Sequence, residues 1–102
     1  MLALAATLPG GPIVDPQVRI DVGAGRARVL VELRVSEAER PREAAIERAQ
    51  DIVLARVPAI LVRRFQSVPL LALEIDAAGL RALEGLGDVV SRVQPDRPAR
   101  PQ

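Results

Sequence analysis

Residues 28–35 alternate in polarity. Val29, Val31, Leu33 and Val35 fall on one side, and Arg28, Leu30, Glu32 and Arg34 on the other. A period of two, rich in valine, predicts a half-buried antiparallel strand. The period then changes. Ala45, Ala49, Ile52, Val53 and Val57 recur at helical spacing, with Glu43, Glu47, Arg48 and Asp51 on the wet side, which predicts an amphipathic helix over 41–57. Ser36 and Glu39 stand at capping-box spacing ahead of it. Pro41 suits a first helical turn, and Pro58 ends the helix. A second strand is expected over 60–66, with Phe65 as its core anchor. A third is expected over 70–75, with Leu71, Leu73 and Ile75 inward. Asp76 is a suitable N-cap for a short helix over 77–84, which presents Leu80 and Leu83 to the core and stops at Gly85 and Gly87. Leu86 follows the last turn, and residues 88–94 read as a final strand.

From residue 28 onward the order is β-α-β-β-α-β, the split βαβ or ferredoxin-like arrangement: an α+β fold with a four-stranded antiparallel sheet, two helices on one face and the other face free. Ahead of it, residues 8–16 hold four prolines and glycines in close succession and then Pro16, the mark of a flexible leader. Residues 17–22 alternate weakly and read as a short extra strand or an extended arm. The expected divisions are a leader over 1–26, a folded domain over 27–94 and an extended tail over 95–102. Residues 1–8 are apolar without a basic start; they read as a loosely packed leader, with the remnant of a signal peptide as the alternative.

Composition narrows the function. The chain has 102 residues, so one small domain is expected. It has no His and no Cys, which excludes a Ser-His-Asp triad, a Cys-His pair and any His- or Cys-ligated zinc within it. Phe65 is the one aromatic residue, too few for a stacking platform on single-stranded nucleic acid. The formal net charge is +1, so no strong pull toward nucleic acid or an anionic membrane is expected. All fourteen basic residues are arginine. Glu37, Glu39, Glu43 and Glu47 gather at the helix start, where acidic side chains suit the dipole and need no catalytic role. Ser36, Ser67 and Ser91 have no His or Lys to act as base. Arg63 and Arg64 suit an anion, but a solvated edge explains them as well. The pattern is that of a chain without catalysis, cofactor or metal of its own. The expected free face, with Arg28, Leu30, Glu32, Arg34, Leu70, Ala72 and Glu74, suits a protein partner or simple solvation equally.

Two stretches carry a resemblance. Residues 62–83 read VRRFQSVPLLALEIDAAGLRAL, and residues 88–96 read DVVSRVQPD. Together they resemble the propeptide of subtilisin-like serine proteases (subtilases): an aromatic in the second strand, a small-apolar third strand, a leucine-patterned helix, a turn, and a Val-x-x-Val strand ending near Asp. Phe65, Pro69, Ala72, Leu80, Leu83, Val90, Val93 and Asp96 occupy those positions. The valine-rich strand at 28–35 also looks like the family's opening strand, so the likeness spans 28–102.

The resemblance implies an inhibitor and intramolecular chaperone of a subtilisin-like protease, in cis or as a separate chain. The docking face would be Leu30, Glu32, Arg34, Leu70, Ala72 and Glu74, with Gln66 and Ser67 at the turn that caps protease helices. Family members often carry an acidic residue at that turn, and this chain does not. The tail, Pro95, Asp96, Arg97, Pro98, Ala99 and Arg100, would lie in the active-site cleft. The tail resembles the start of a junction into a protease domain, which points to a prodomain or a prodomain-derived single-domain protein. Location by the resemblance is secreted or periplasmic; with no complete signal peptide in view, the cytoplasm stays open. The alternative is a ferredoxin-like protein-interaction or small-ligand module that forms a homodimer.

Overall fold

A computed structural model describes residues 11–96. The chain is α+β. Five strands and three helices follow in the order β1 (Ile13–Val14), α1 (Pro16–Gly23), β2 (Ala27–Leu33), α2 (Arg42–Arg56), β3 (Ile60–Arg64), β4 (Leu70–Ile75), α3 (Ala77–Glu84) and β5 (Val90–Pro95). The strands form one mixed sheet in the order β1-β5-β2-β4-β3. β2 runs antiparallel to both β4 and β5, β3 runs antiparallel to β4, and β1 runs parallel to β5.

The expectation of four antiparallel strands and two helices is therefore corrected by one strand and one helix, both N-terminal. Residues assigned to a leader or an extra strand make β1 and α1 instead. The reason is local. The Asp15 carboxylate accepts the Gln17 N–H at 2.8 Å, and Pro16 takes the first helical position. Val18 and Val22 stand four residues apart, so a helix turns both into the core while an alternating strand would share its face with exposed Ile20. Gly25, at φ +135°, adopts the turn that leads into β2.

Side chains at every second position of β2 (Ala27, Val29, Val31, Leu33) meet Leu71, Leu73 and Ile75 of β4, and Val90 and Val93 of β5. Val18 and Val22 of α1, Ala49 and Val53 of α2, and Leu80 and Leu83 of α3 join the same cluster. All three helices thus cover one side of the sheet, and among the described residues no element lies over the other side. Each of the large fully buried side chains contributes on the order of 1.5–3 kcal/mol.

Three further sequence expectations are adjusted. Phe65 lies beyond β3 and outside the core; its ring sits under the Arg63 guanidinium, 4.5 Å from centroid to Cζ. Ile52 is 39% exposed, and Ile46 takes the buried position on α2. The Ser36–Glu39 box does form, with Glu39 Oε1 accepting the Ser36 N–H at 2.9 Å, but it closes a turn ahead of α2, whose cap position is Pro41.

Candidate docking face and tail

The uncovered side of the sheet is built by the even-numbered residues of β2. Register fixes three rows across it. In the first, Arg28 lies opposite Glu74, and Glu74 opposite Ile60. In the second, Leu30 lies between Ala72 and Gln94, with Arg63 beyond Ala72. In the third, Glu32 lies between Leu70 and Arg92, and Ile13 lies beyond Arg92. The middle of the face is apolar: Leu30 and Leu70 are half-buried, and Ala72 is 2% exposed. Four of its charges stand opposite one another, Arg28 to Glu74 and Arg92 to Glu32 across the ladders, while Arg63 lies opposite Ala72. Such opposed pairs stabilise a sheet, where like charges would oppose it. Glu32 is held further by Gln94, whose Nε2 donates to its carboxylate at 3.0 Å.

Six of the seven residues expected on the free face from sequence are brought together there: Arg28, Leu30, Glu32, Leu70, Ala72 and Glu74. Arg34 is not among them. It lies past the end of β2, where its Nε donates to the Gly87 carbonyl at 2.8 Å and its backbone N–H donates to Val89. It shares a depression with Ala45, Ala49 and Ile52, on the helix side. β2 ends at Leu33, so the strand alternation that places Arg34 on the free face does not extend to it.

Gln66 and Ser67 are exposed in the β3–β4 connection. That connection is held from beneath by a residue the sequence reading passed over. Gln50 of α2 is 2% exposed, and its Nε2 donates to the carbonyls of Phe65 (2.6 Å) and Leu70 (3.0 Å). Its Oε1 accepts from Arg64 Nε at 2.8 Å, and Arg64 also reaches Asp51 at 2.6 Å. Its signal was its place on the buried stripe Ile46–Gln50–Val53. A polar residue on such a stripe needs partners in the interior.

The tail begins later than its prolines suggested. Pro95 is still in β5, opposite Val29, and the Asp96 N–H donates to the Arg28 carbonyl at 3.0 Å. β1 has left the far edge of β5 by then, because its last ladder partner is Val93. Proline is tolerated where a strand has one open edge. Arg97, Pro98, Ala99 and Arg100 lie outside the described residues.

One carboxyl stands out electrostatically. Asp76 caps α3, and the Gly79 N–H donated to it holds its pKa below the ordinary aspartate value, with help from Arg26 and against partial desolvation. Among the described residues, no group of three or more acidic side chains is placed to hold a metal ion, and no helix is long and apolar enough to cross a membrane. Comparison with protein-family models, curated proteins and solved structures finds no match to this chain.

Proposed function

We propose that this chain is a subtilase propeptide-like inhibitor and intramolecular chaperone, without catalysis of its own. It binds a subtilisin-like serine protease through the uncovered sheet face and places the residues after Asp96 in the active-site cleft. The observation that carries the reading is the face itself: an apolar centre of Leu30, Leu70 and Ala72 flanked by oppositely charged residues in register, Arg28 with Glu74 and Arg92 with Glu32. A surface of this kind loses little on desolvation and gains from apolar contact.

Strand order supports the same reading. β2 to β5 connect as β-α-β-β-α-β and lie in the order β5-β2-β4-β3. That order suits a ferredoxin-like core carrying β1 and α1 as an N-terminal addition. The addition leaves the face open, because α1 packs on the helix side. Pro95 and Asp96, held by β2, act as the anchor of the tail rather than as its cleft-bound part. The residues beyond them fit a cleft as an added strand. A sheet face and a tail together suit the burial of about 1,200–2,000 Å² common to protease–inhibitor pairs. By the same reading the partner acts in a secreted or periplasmic setting.

Hydrolysis of a chromogenic peptide by a panel of subtilisins, including any encoded beside this chain, tests it. The full chain slows hydrolysis. Removal of residues 97–102 weakens inhibition strongly and leaves the circular dichroism spectrum unchanged. Absence of inhibition at high micromolar concentration across the panel would refute the reading.

A further inference from the structure

Strand β3 ends the sheet on the side away from β1, and β4 is its one neighbour. Its outer row of backbone N–H and C=O groups therefore faces no strand among the described residues. The same strand carries three consecutive exposed apolar side chains, Ile60 (51%), Leu61 (45%) and Val62 (37%). The other large apolar side chains exposed among the described residues, Ile13, Ile20, Ile52 and Val68, stand singly along the chain. Register puts the run on both sides of the sheet. Ile60 lies opposite Glu74 and belongs to the uncovered side. Leu61 lies opposite Leu73, whose side chain is in the core, and belongs to the helix side. A partner lying on either face covers one of the two. A strand laid along the edge covers both and pairs the open backbone row. The arginines that follow do not guard this edge. Arg64 is drawn back by Gln50 (2.8 Å) and Asp51 (2.6 Å) of α2, and Arg63 stacks on Phe65 of its own chain.

We infer that the occupant of this edge is β3 of a second copy of the chain, paired antiparallel about a two-fold axis at Leu61, so that two five-stranded sheets become one. The pattern of side chains selects that register. It sets Leu61 against Leu61 and Ile60 against Val62 of the second copy, and Arg63 falls opposite Ala59. An axis at Arg63 would oppose arginine to arginine, which destabilises a ladder. With the axis at Leu61, Arg63 comes to the free side one residue from the Ile60–Glu74 row of the second copy, where it meets a carboxylate of opposite sign. Closure argues for a copy as well. The other edge, β1, is two residues long, so β3 is the long open edge, and pairing it with itself covers it in both molecules. The register shift between Leu61 and Arg63 limits regular pairing to a short stretch, so the dimer is weak and depends on concentration. The uncovered face stays open in it, and the inference stands apart from the inhibitor reading.

Sedimentation velocity of the full chain between about 1 and about 200 μM tests it. The parent should pass from monomer to dimer over that range. Leu61→Lys and Leu61→Glu each oppose like charges on the axis, and each should raise the dissociation constant by about tenfold. An equimolar mixture of the two variants should restore the dimer, because opposite charges then meet on the axis. Ile20→Lys, exposed but on α1, should leave the dissociation constant within about twofold. Urea midpoints of the variants should match the parent, since neither Leu61 nor Ile20 belongs to the core cluster. A parent that stays monomeric at the highest concentration would overturn the inference. So would a dimer indifferent to both Leu61 variants, or a mixture of the two that stays monomeric while the parent pairs. A dimer dissolved by Leu30→Asp and not by Leu61→Lys would place the contact on the sheet face and overturn it too.

Discussion

Arg64 donates its Nε hydrogen to the buried Oε1 of Gln50 at 2.8 Å, and so ties the edge strand β3 to helix α2. The same amide donates to Phe65 and Leu70 carbonyls at the two ends of the β3–β4 connection. One side chain therefore fixes the turn that carries Gln66 and Ser67.

Loss of that amide should be costly. Gln50→Ala leaves two carbonyls without their donor beneath the turn, and each such group costs about 1–3 kcal/mol. A loss of about 2–3 kcal/mol is expected. Asp51→Ala removes an ion pair whose carboxylate side is 61% exposed, and should cost under about 1 kcal/mol. Urea denaturation of both variants checks the ranking. Equal midpoints would show that the exposed pair, not the buried amide, holds the turn.

The N-terminal helix is part of the core, and two of its residues test this. Val18 is fully buried and Ile20 is largely exposed. Val18→Ala should cost about 2 kcal/mol through lost burial and the cavity left. Ile20→Ala should stay within about 0.5 kcal/mol. For a domain of this size, a kcal/mol lowers the melting temperature by about 4–8 °C. If residues 16–23 were a detached leader, neither variant would move it.

Legibility in the sequence followed the strength of each local signal. β4 and α3 were read to their ends because Leu71, Leu73 and Ile75 alternate cleanly, and Asp76 and Gly85 punctuate the helix. β2 is legible through its valines but not at its end, since Arg34 continues the alternation and where the strand stops at Leu33 depends on its partner strands. α1 was missed because its eight residues offer two buried positions, Val18 and Val22, whose spacing fits a strand as well as a helix. Asp15-Pro16 was the deciding signal, and it was obscured by the Pro/Gly run before it. Of the face, the sheet residues were legible by alternation alone. Ile13 and Gln50 were not, because one depends on a parallel pairing across 79 positions of chain (92 − 13) and the other on where a turn lands.

Acid should reveal the cap of α3. The Gly79 N–H, with Arg26 in support, holds the Asp76 pKa below its unfolded value of about 3.9. A group depressed in the folded state stabilises it above the unfolded pKa, and loses that contribution as pH falls through the folded one. Asp76→Asn keeps a capping oxygen but has no charge to lose. The stability gap between parent and variant should be constant above about pH 5 and should shrink below about pH 4. Urea titrations between pH 6 and 3 measure it. A gap that widens on acidification would mean that the Asp76 carboxyl is bound more weakly, not more tightly, in its ionised form.

Gly79 and Gly23 should answer the same substitution with opposite signs. Both are helical, and in an unencumbered helix alanine gains about 1 kcal/mol over glycine. A Cβ on Gly23 would meet nothing within 4 Å. Gly23→Ala is therefore expected to be neutral or to stabilise by up to that amount. A Cβ on Gly79 would lie 2.8 Å from the Pro58 carbonyl oxygen and 2.8 Å from Ile75 Cβ. Neither can yield: one is backbone at the end of α2, and the other belongs to a side chain that is fully buried. Overpacking of this kind costs about 1–3 kcal/mol and outweighs the gain in propensity. The net expectation for Gly79→Ala is a loss of about 1–2 kcal/mol, read by thermal denaturation. The close seat matters for more than stability, because α3 delivers the chain to Val90 and so sets where β5 enters the sheet and where the tail leaves it. On the proposed inhibitor reading, Gly79→Ala should therefore also weaken inhibition of a subtilisin at temperatures where the variant is still folded. A Gly79→Ala protein that melts at or above the parent would show that α3 does not sit against Pro58.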